Sequence, residues 1–587
     1  MHNNNQHTFK THDGTELFYQ HWRSTASKSK TRKAILLFHR GHEHSGRMAH
    51  LVEELQLPEF DFFAWDARGH GESPGERGDA PSFSACVKDI QYFVQHIQQR
   101  YNIDSKNIAV VAQSVGAVMA ATWVHDYAPK IRALCLASPA FDIKLYVPFA
   151  KPGLSVLSQL KGNFFINSYV KAKMLTHDKE RAQSYGTDPK IARAISVRML
   201  LGLYAASKRI VDDAQNIYVP TQVLSSGSDF VVHQKPQWDF YQKLPHPHKE
   251  FHILDGFYHD TLGEKQRGIA LQKIRRFIVQ CFAKPYQAPN VLHADKIGAS
   301  CAVAENLSAA LPPKSIRQSF WALTKKNLKI GSLLSQGLKI GEETGYDSGS
   351  TLDFVYRNQA ESANPIGKII DRQYLNAIGW RGIRVRKQNI EALLNKYAKV
   401  LLEQGKALKI MDIAAGHGRY ILDAAAQLPQ RPASILLRDY SPVNVKAGQA
   451  LIAERGLQDI AQFAEADAFN AESLAHVEPK PNLAVVSGLY ELFNDNDLLR
   501  QSLQGLSQAV EDEGYLIYTG QIWHPQQEFI ARALTSHRAG NAWVMRLRSQ
   551  AEMDALVEEA GFQKIDQCID DFGIFTVSVA KKLKSKP

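Results

Sequence analysis

Two blocks of the chain alternate short apolar runs with amphipathic stretches of helical period. In the first, residues 34–281, the runs Ala34–Phe38, Phe60–Trp65, Ile108–Ala112, Ala133–Ala137, Thr221–Ser225 and Glu250–Leu254 read as buried strands. Phe83–Arg100, after the second run, carries its apolar residues at helical spacing. Strands alternating with helices predict an α/β fold with a mostly parallel sheet covered on both faces. Residues 141–210 break the rhythm with helical, Lys/Arg-rich sequence and read as an insertion that caps an active site.

The alternation resumes at Leu408–Ile413 and continues through Ser434–Leu437, Leu483–Ser487 and Gly514–Thr519. It ends in two strand-like runs, Phe562–Cys568 and Gly573–Ala580. Between the blocks lie residues 286–345, whose start, through Ala309-Ala310-Leu311-Pro312-Pro313, reads as linker. Within 314–340, Ile316, Phe320, Leu323, Ile330 and Leu334 recur at near-helical spacing, with Lys325, Lys326 and Lys329 mostly elsewhere. Such a helix either lies in the interface of an anionic membrane or docks on one of the folded domains.

A length of 587 residues exceeds what one hydrophobic core holds, so two domains are expected. With 44% hydrophobic and 22% charged residues, collagen-like, disordered and coiled-coil chains are excluded. No window is apolar for the ~18 or more residues of a spanning helix, and Met1–Gln6 lacks the apolar stretch of a signal peptide. A cytoplasmic protein is expected, peripheral at a membrane if it meets one. The five cysteines stand apart with no CxxC pair, which argues against a thiolate metal site. The net charge of +11 divides as +10 over residues 1–290, +5 over 291–340 and −4 over 341–587. The densest basic stretch thus falls between the domains, away from any site, and nucleic acid is not an expected partner.

Ala112-Gln113-Ser114-Val115-Gly116 follows the run Ile108–Ala112 and precedes a helical stretch. This is the context of a nucleophile elbow, in which small residues two before and two after the Ser let strand and helix pass closely. A base and an orienting acid are then needed, in the chain order Ser, Asp, His. Asp229 follows the run Thr221–Ser225 and His259 follows the run ending at Leu254, so all three fall at the carboxyl edge of a parallel sheet. The loop Phe38-His39-Arg40-Gly41-His42-Glu43-His44-Ser45-Gly46-Arg47 follows the first strand. Its histidines fit neither HExxH nor a Cys/His finger, so no metal is expected. Its backbone N–H near Gly41, with that of Val115, suits an oxyanion hole.

These segments resemble the monoacylglycerol lipase and lysophospholipase branch of the α/β-hydrolases. The oxyanion loop, Asp66-Ala67-Arg68-Gly69-His70-Gly71-Glu72-Ser73, the elbow, the Asp and His loops, and Leu175-Thr176-His177-Asp178 in the cap occur in the family's order across residues 8–282. The resemblance implies a serine hydrolase of esters with one long acyl chain. Arg40 departs from the family's Gly and Ala112 from the first elbow Gly.

In the second block, Lys409-Ile410-Met411-Asp412-Ile413-Ala414-Ala415-Gly416-His417-Gly418 is a strand running into a glycine turn. Gly416 and Gly418 let the backbone approach a bound cofactor at a helix N-terminus. Asp439 ends the next strand, where a carboxylate holds ribose hydroxyls, and Asp467 ends a third. The turn lacks the last Gly of GxGxxG, and no GK[ST] follows. A dinucleotide site remains an alternative to the set it resembles, a class I S-adenosylmethionine-dependent methyltransferase over roughly residues 350–582. The resemblance assigns Asp412, Ala414, Gly416, Gly418, Asp439, Asp467 and Ser487 to the cofactor. Tyr490 and Glu491 are acceptor candidates by position, and Arg381 and Arg384 from an Arg/aromatic cluster that suits an anionic acceptor.

Together these features predict an N-terminal α/β-hydrolase fold with a helical cap at residues 1–285, a basic linker with an amphipathic helix at 286–345, and a Rossmann-like class I methyltransferase fold at 346–587. The expected function is bifunctional: hydrolysis of lipid esters, and S-adenosyl-L-methionine-dependent methylation of an unidentified, lipid-related acceptor. Two alternatives keep the hydrolase and make the second half a cofactor-sensing module or an NAD-linked oxidoreductase.

Overall fold

In the computed structural model, which describes residues 4–26, 31–146, 150–538 and 540–584, the six apolar runs of the first block are neighbouring strands of one sheet. The chain divides into two compact units, Met1–Pro289 and Asn290–Pro587. Residues 1–3 of the N-terminal segment and 147–149 of the cap lie outside the described residues.

The first unit contains β1 (Asn4–Lys10), β2 (Glu16–Trp22), β3 (Lys33–Phe38), β4 (Phe60–Trp65), β5 (Ile108–Gln113) and β6 (Ala133–Ala137). These are followed by β7 (Phe165–Asn167), β8 (Ala194–Ser196), β9 (Thr221–Ser226) and β10 (Lys249–Leu254). Its eight-stranded sheet has the order β1-β2-β4-β3-β5-β6-β9-β10. From β4 to β10 every neighbouring pair is parallel, and β1 and β2 add antiparallel pairs at one edge. The helices Phe83–Tyr101, Val115–Tyr127 and Gly268–Ala283 bury their apolar sides. β10 is the far edge, and Ile253 there is exposed, so a run that reads as buried is only half covered. The insertion 141–210 carries the helices Ala150–Lys161, Lys179–Thr187 and Val197–Asp212 and the β7–β8 pair. This is an α/β-hydrolase fold with a helical cap.

The second unit holds β11 (Lys409–Asp412), β12 (Ser434–Asp439), β13 (Ala461–Glu465), β14 (Leu483–Val486), β15 (Tyr515–Gln521), β16 (Phe562–Ile569) and β17 (Phe575–Lys582). Their order is β13-β12-β11-β14-β15-β17-β16, the first five parallel and the last two antiparallel. The order reverses between β11 and β14, which opens a crevice at the carboxyl ends of those strands. This is the Rossmann-like class I methyltransferase fold. The segment 286–345 is largely helical and, from Asn290 on, belongs to this unit. The basic helix Ile316–Ser332 docks through Arg317, which pairs with Glu528 at 2.5 Å, and through Trp321, whose Nε1 donates to Glu528 at 3.3 Å. Among the described residues no helix is long and apolar enough to cross a membrane.

Candidate active sites

Ser114 sits between β5 and the helix Val115–Tyr127 with φ 55° and ψ −116°, a strained conformation that holds its side chain out of the turn. The turn closes because its neighbours are small. A Cβ at Gly116 would stand 2.3 Å from the His39 carbonyl oxygen, and one at Gly41 would stand 3.0 Å from Val115 Cγ2. The loop 38–47 and the turn at Ser114 are therefore packed against each other, with Gly41 beside Val115.

His259 Nε2 lies 2.8 Å from Ser114 Oγ, and His259 Nδ1 lies 2.8 Å from Asp229 Oδ2. A carboxylate only accepts, so Nδ1–H donates to Asp229 and Nε2 is left to accept the Ser114 hydroxyl proton. Asp229 also accepts from the N–H groups of Val231 (2.7 Å) and Val232 (3.0 Å). Burial pushes its carboxyl up, but the His259 ring and those two N–H groups outweigh burial and hold it below the ordinary carboxylate range.

The motif 66–73 builds the platform for the loop 38–47. Asp66 accepts from the N–H groups of Ser45 (2.6 Å) and Glu72 (2.8 Å), and His39 Nε2 accepts from Ala67 N–H at 3.1 Å while its Nδ1–H donates to the Arg40 carbonyl. Burial pushes the imidazoles of His39 and His42 down to about 4 and about 3, so both rings are neutral. His44 is held by Asp188 of the cap at 2.9 Å. Among the described residues no group of three or more His, Cys, Asp or Glu side chains is placed to hold a metal ion.

Arg40 points inward. Its NH2 donates to Glu43 at 2.7 Å, its Nε stands 3.8 Å from Asp260, and its guanidinium lies over the Tyr185 ring of the cap. Arg181 of the cap closes the cluster with a 2.5 Å hydrogen bond to Asp260. Three buried charges, Arg40, Glu43 and Asp260, and the partly buried Arg181 thus form one cluster beside His259 in the chain, and the cation in place of the family's glycine is a strut. Sequence reasoning missed Gln113, Arg181 and Asp260. The position of Gln113 beside Ser114 was the available signal for the first.

In the second unit, Asp412 is fully buried, accepting from Tyr420 Oη at 2.5 Å and from Ala414 N–H at 3.1 Å. Burial pushes its carboxyl up to about 7 despite both hydrogen bonds. Asp412 shapes the glycine turn from below and has no face toward a ligand. Gly416 (φ 57°) donates its N–H to Asp439 Oδ2 at 2.9 Å, and Asp439 Oδ1 accepts from Ser441 N–H and Asn444 Nδ2. Gly418 must be Gly: φ is 75°, and a Cβ would stand 2.4 Å from Leu437 Cδ1. Asp467 is exposed beyond β13. Ser487, just past β14, is buried with an unpartnered hydroxyl.

The acceptor candidates separate. Tyr490 is buried in the core, its hydroxyl 2.9 Å from Ser502 Oγ. Arg381 is exposed over the Phe572 ring, and neither it nor Arg384 lines a cavity at this edge. Glu491 does line one, a space of about 320 Å³ walled by Leu328, Trp380, Phe529, Ile530, Trp543 and Phe575. Arg386 lines it too and pairs with Glu491 Oε1 at 3.2 Å. Gly488, on the glycine turn that precedes Glu491, lies on the same wall.

The residues at the crevice fit a nucleoside cofactor such as S-adenosylmethionine: a carboxylate ends β12, an exposed one follows β13, and an orphaned buried hydroxyl follows β14. At Gly416 a Cβ would meet nothing nearer than Gly349 Cα at 3.5 Å, so the turn offers bare backbone there.

Two family models agree with the two folds. A family model described as "Serine aminopeptidase, S33" matches residues 29–266, and one described as "Putative methyltransferase" matches residues 274–582, more than half of the chain. An Escherichia coli (strain K12) protein named "Uncharacterized protein YnbC" is 52% identical over 575 residues, covering 98% of each chain. The monoglyceride lipase of Rattus norvegicus is 25% identical over 253 residues, 42% of this chain and 80% of its own. A solved structure described as the monoacylglycerol lipase of Paleococcus ferrophilus is 22% identical over 45% of this chain and 99% of its own, with a TM-score of 0.41. The chain carries a lipase-like serine-hydrolase domain ahead of a methyltransferase-family domain, and it belongs to the family described as "Putative methyltransferase".

Proposed function

We propose that the chain is a bifunctional enzyme that hydrolyses lipid esters with one acyl chain, of the monoacylglycerol or lysophospholipid kind, and methylates a second small molecule with S-adenosylmethionine. The observation that carries the first activity is the continuous relay Ser114–His259–Asp229 at the sheet edge. Ser114 Oγ attacks the ester carbonyl as His259 Nε2 takes its proton, and the N–H groups of Gly41 and Val115 face the oxyanion. His259 returns the proton to the leaving alcohol, and water, activated by the same ring, releases the fatty acid. The lipase names among the relatives support the substrate class. Ser114→Ala is expected to abolish hydrolysis of a monoacylglycerol and labelling by a fluorophosphonate probe; a variant that still labels would overturn the assignment.

For the second activity, Asp439, Asp467, Ser487 and the turn Ala414–Gly418 would hold S-adenosylmethionine, which supplies an electrophilic methyl group when bound. The chain's own part is to orient the acceptor and exclude water. The methyltransferase family match favours this reading over an NAD-linked one. Asp439→Ala is expected to weaken S-adenosylmethionine binding by at least about tenfold in calorimetry, and equal affinity in variant and parent would count against the pocket. Incubation with a lipid extract, with and without S-adenosylmethionine, followed by mass spectrometry, reads both products at once.

A peripheral contact with anionic membrane is the further partner, and one observation favours it. The row Ile316, Phe320, Leu323 and Ile330 on the basic helix is exposed, Ile316 at 91%, on the side away from Trp321 and Leu328.

A further inference from the structure

The cavity beside Glu491 has walls that are almost wholly apolar and aromatic. Its charged lining residues are Asp347, Arg386 and Glu491. Arg386 pairs with Glu491 through one terminal N–H while its Nε has no partner, and Asp347 accepts from Ser536 Oγ and the His537 N–H, both at 2.6 Å, so the lining sets two carboxylates against one guanidinium. The lining His524 is neutral, because burial pushes its ring down to about 4. No surplus cation therefore faces the cavity among its lining residues, and a phosphate or carboxylate placed there would meet a net negative lining.

Four polar atoms on lining residues are buried without a partner: Glu491 Oε2, an acceptor, the donors Trp543 Nε1 and Arg386 Nε, and the Tyr374 hydroxyl. Glu491 is 7% exposed and Trp543 is 8% exposed. An orphaned carboxylate oxygen in an apolar space costs free energy that a ligand hydroxyl or amine would recover. The volume, about 320 Å³, stands at the small end of small-molecule sites and holds one chain or one or two rings.

We propose that this cavity is the acceptor site and takes a neutral, largely apolar molecule with one hydroxyl or amine, which donates to Glu491 Oε2 while Trp543 Nε1 donates to a second polar atom of the ligand. Naming it the acceptor site rests on the methyl-transfer reading. It turns the acceptor away from the anionic class that the Arg/aromatic cluster suggests in the sequence.

The test uses the full chain and the neutral fluorescent probe N-phenyl-1-naphthylamine, displaced in turn by 1-decanol, 1-methoxydecane and decyl phosphate. The expected result is saturable probe binding, displacement by 1-decanol about tenfold better than by its methyl ether, and none by decyl phosphate. Ile530→Trp, which fills the cavity, should abolish probe binding, whereas Phe320→Ser on the exposed helix should not. Displacement by decyl phosphate in preference to 1-decanol, or probe binding lost in Phe320→Ser and kept in Ile530→Trp, would overturn the proposal. Calorimetry with S-adenosylmethionine on the same protein separates the two readings. Probe binding as expected without cofactor binding would leave the neutral cavity standing and fell the methyl-transfer reading. Cofactor binding with decyl phosphate preferred would do the reverse.

Discussion

Gln113, the residue before Ser114, donates its side-chain amide to the carbonyl oxygen of His259 at 3.2 Å and to Asp260 Oδ1 at 3.1 Å. The strand that leads into Ser114 thereby also clamps the loop that carries His259. Gln113→Leu should lower kcat for a monoacylglycerol about 10- to 100-fold while KM changes less than about threefold, because the base is misaligned and substrate contacts are intact. Steady-state kinetics check this, and an unchanged kcat would remove Gln113 from the positioning of His259.

Arg40→Gly restores the residue usual in the lipase family and should harm the protein. It leaves Glu43 and Asp260 with one buried cation fewer, at a cost of about 3–5 kcal/mol, read as a lower denaturation midpoint of the first unit. Chain-length preference for monoacylglycerols should stay the same, since Arg40 is buried against Tyr185. A shifted preference with unchanged stability would place the guanidinium in the substrate pocket instead.

Asp412 makes the second unit sensitive to pH. Its folded carboxyl titrates at about 7, above the ~4 of an unfolded Asp, so the folded state binds the proton more tightly. The stability linked to it is complete below about pH 4 and is lost as pH rises through about 7. Asp412→Asn, which cannot ionise, should show a smaller fall in Tm between pH 5 and pH 8 than the parent. Parallel Tm profiles would mean that Asp412 is ionised throughout.

Replacing the exposed apolar row bears on the membrane reading. Phe320→Ser with Leu323→Ser should cut flotation with phosphatidylglycerol vesicles several-fold and leave the hydrolase activity on a dispersed ester unchanged. Binding in the parent should weaken as salt is raised, since Lys325, Lys326 and Lys329 contribute through screened charge. Equal flotation of parent and variant would assign the row to another role.

Much of the architecture was legible because the central strands are apolar on both faces. The runs at β3, β4, β5, β6, β9 and β11 coincide with their strands to within two residues. β1 and β2 escaped because Asn4–Lys10 and Glu16–Trp22 interleave polar residues, as an antiparallel edge pair does. Ser114, Asp229 and His259 could be singled out since chain order and strand ends constrain them together. The cavity proposed for the acceptor could not. Tyr490 and Glu491 are adjacent in sequence, yet one turns into the core and the other into the cavity, and a short helical turn at Tyr490–Leu492 decides which. Arg386 likewise shares one long helix with Arg381 and Arg384, and only the rotation of that helix selects it.

Leu328 gives the basic helix a second meaning. It closes the cavity from one side of the same seventeen-residue helix whose other side is bare to solvent. An occupant that pressed Leu328 outward would displace the bare row, and a membrane that held the row in place would limit how large an occupant can be. If both proposals hold, membrane contact and cavity occupancy are coupled through this one helix.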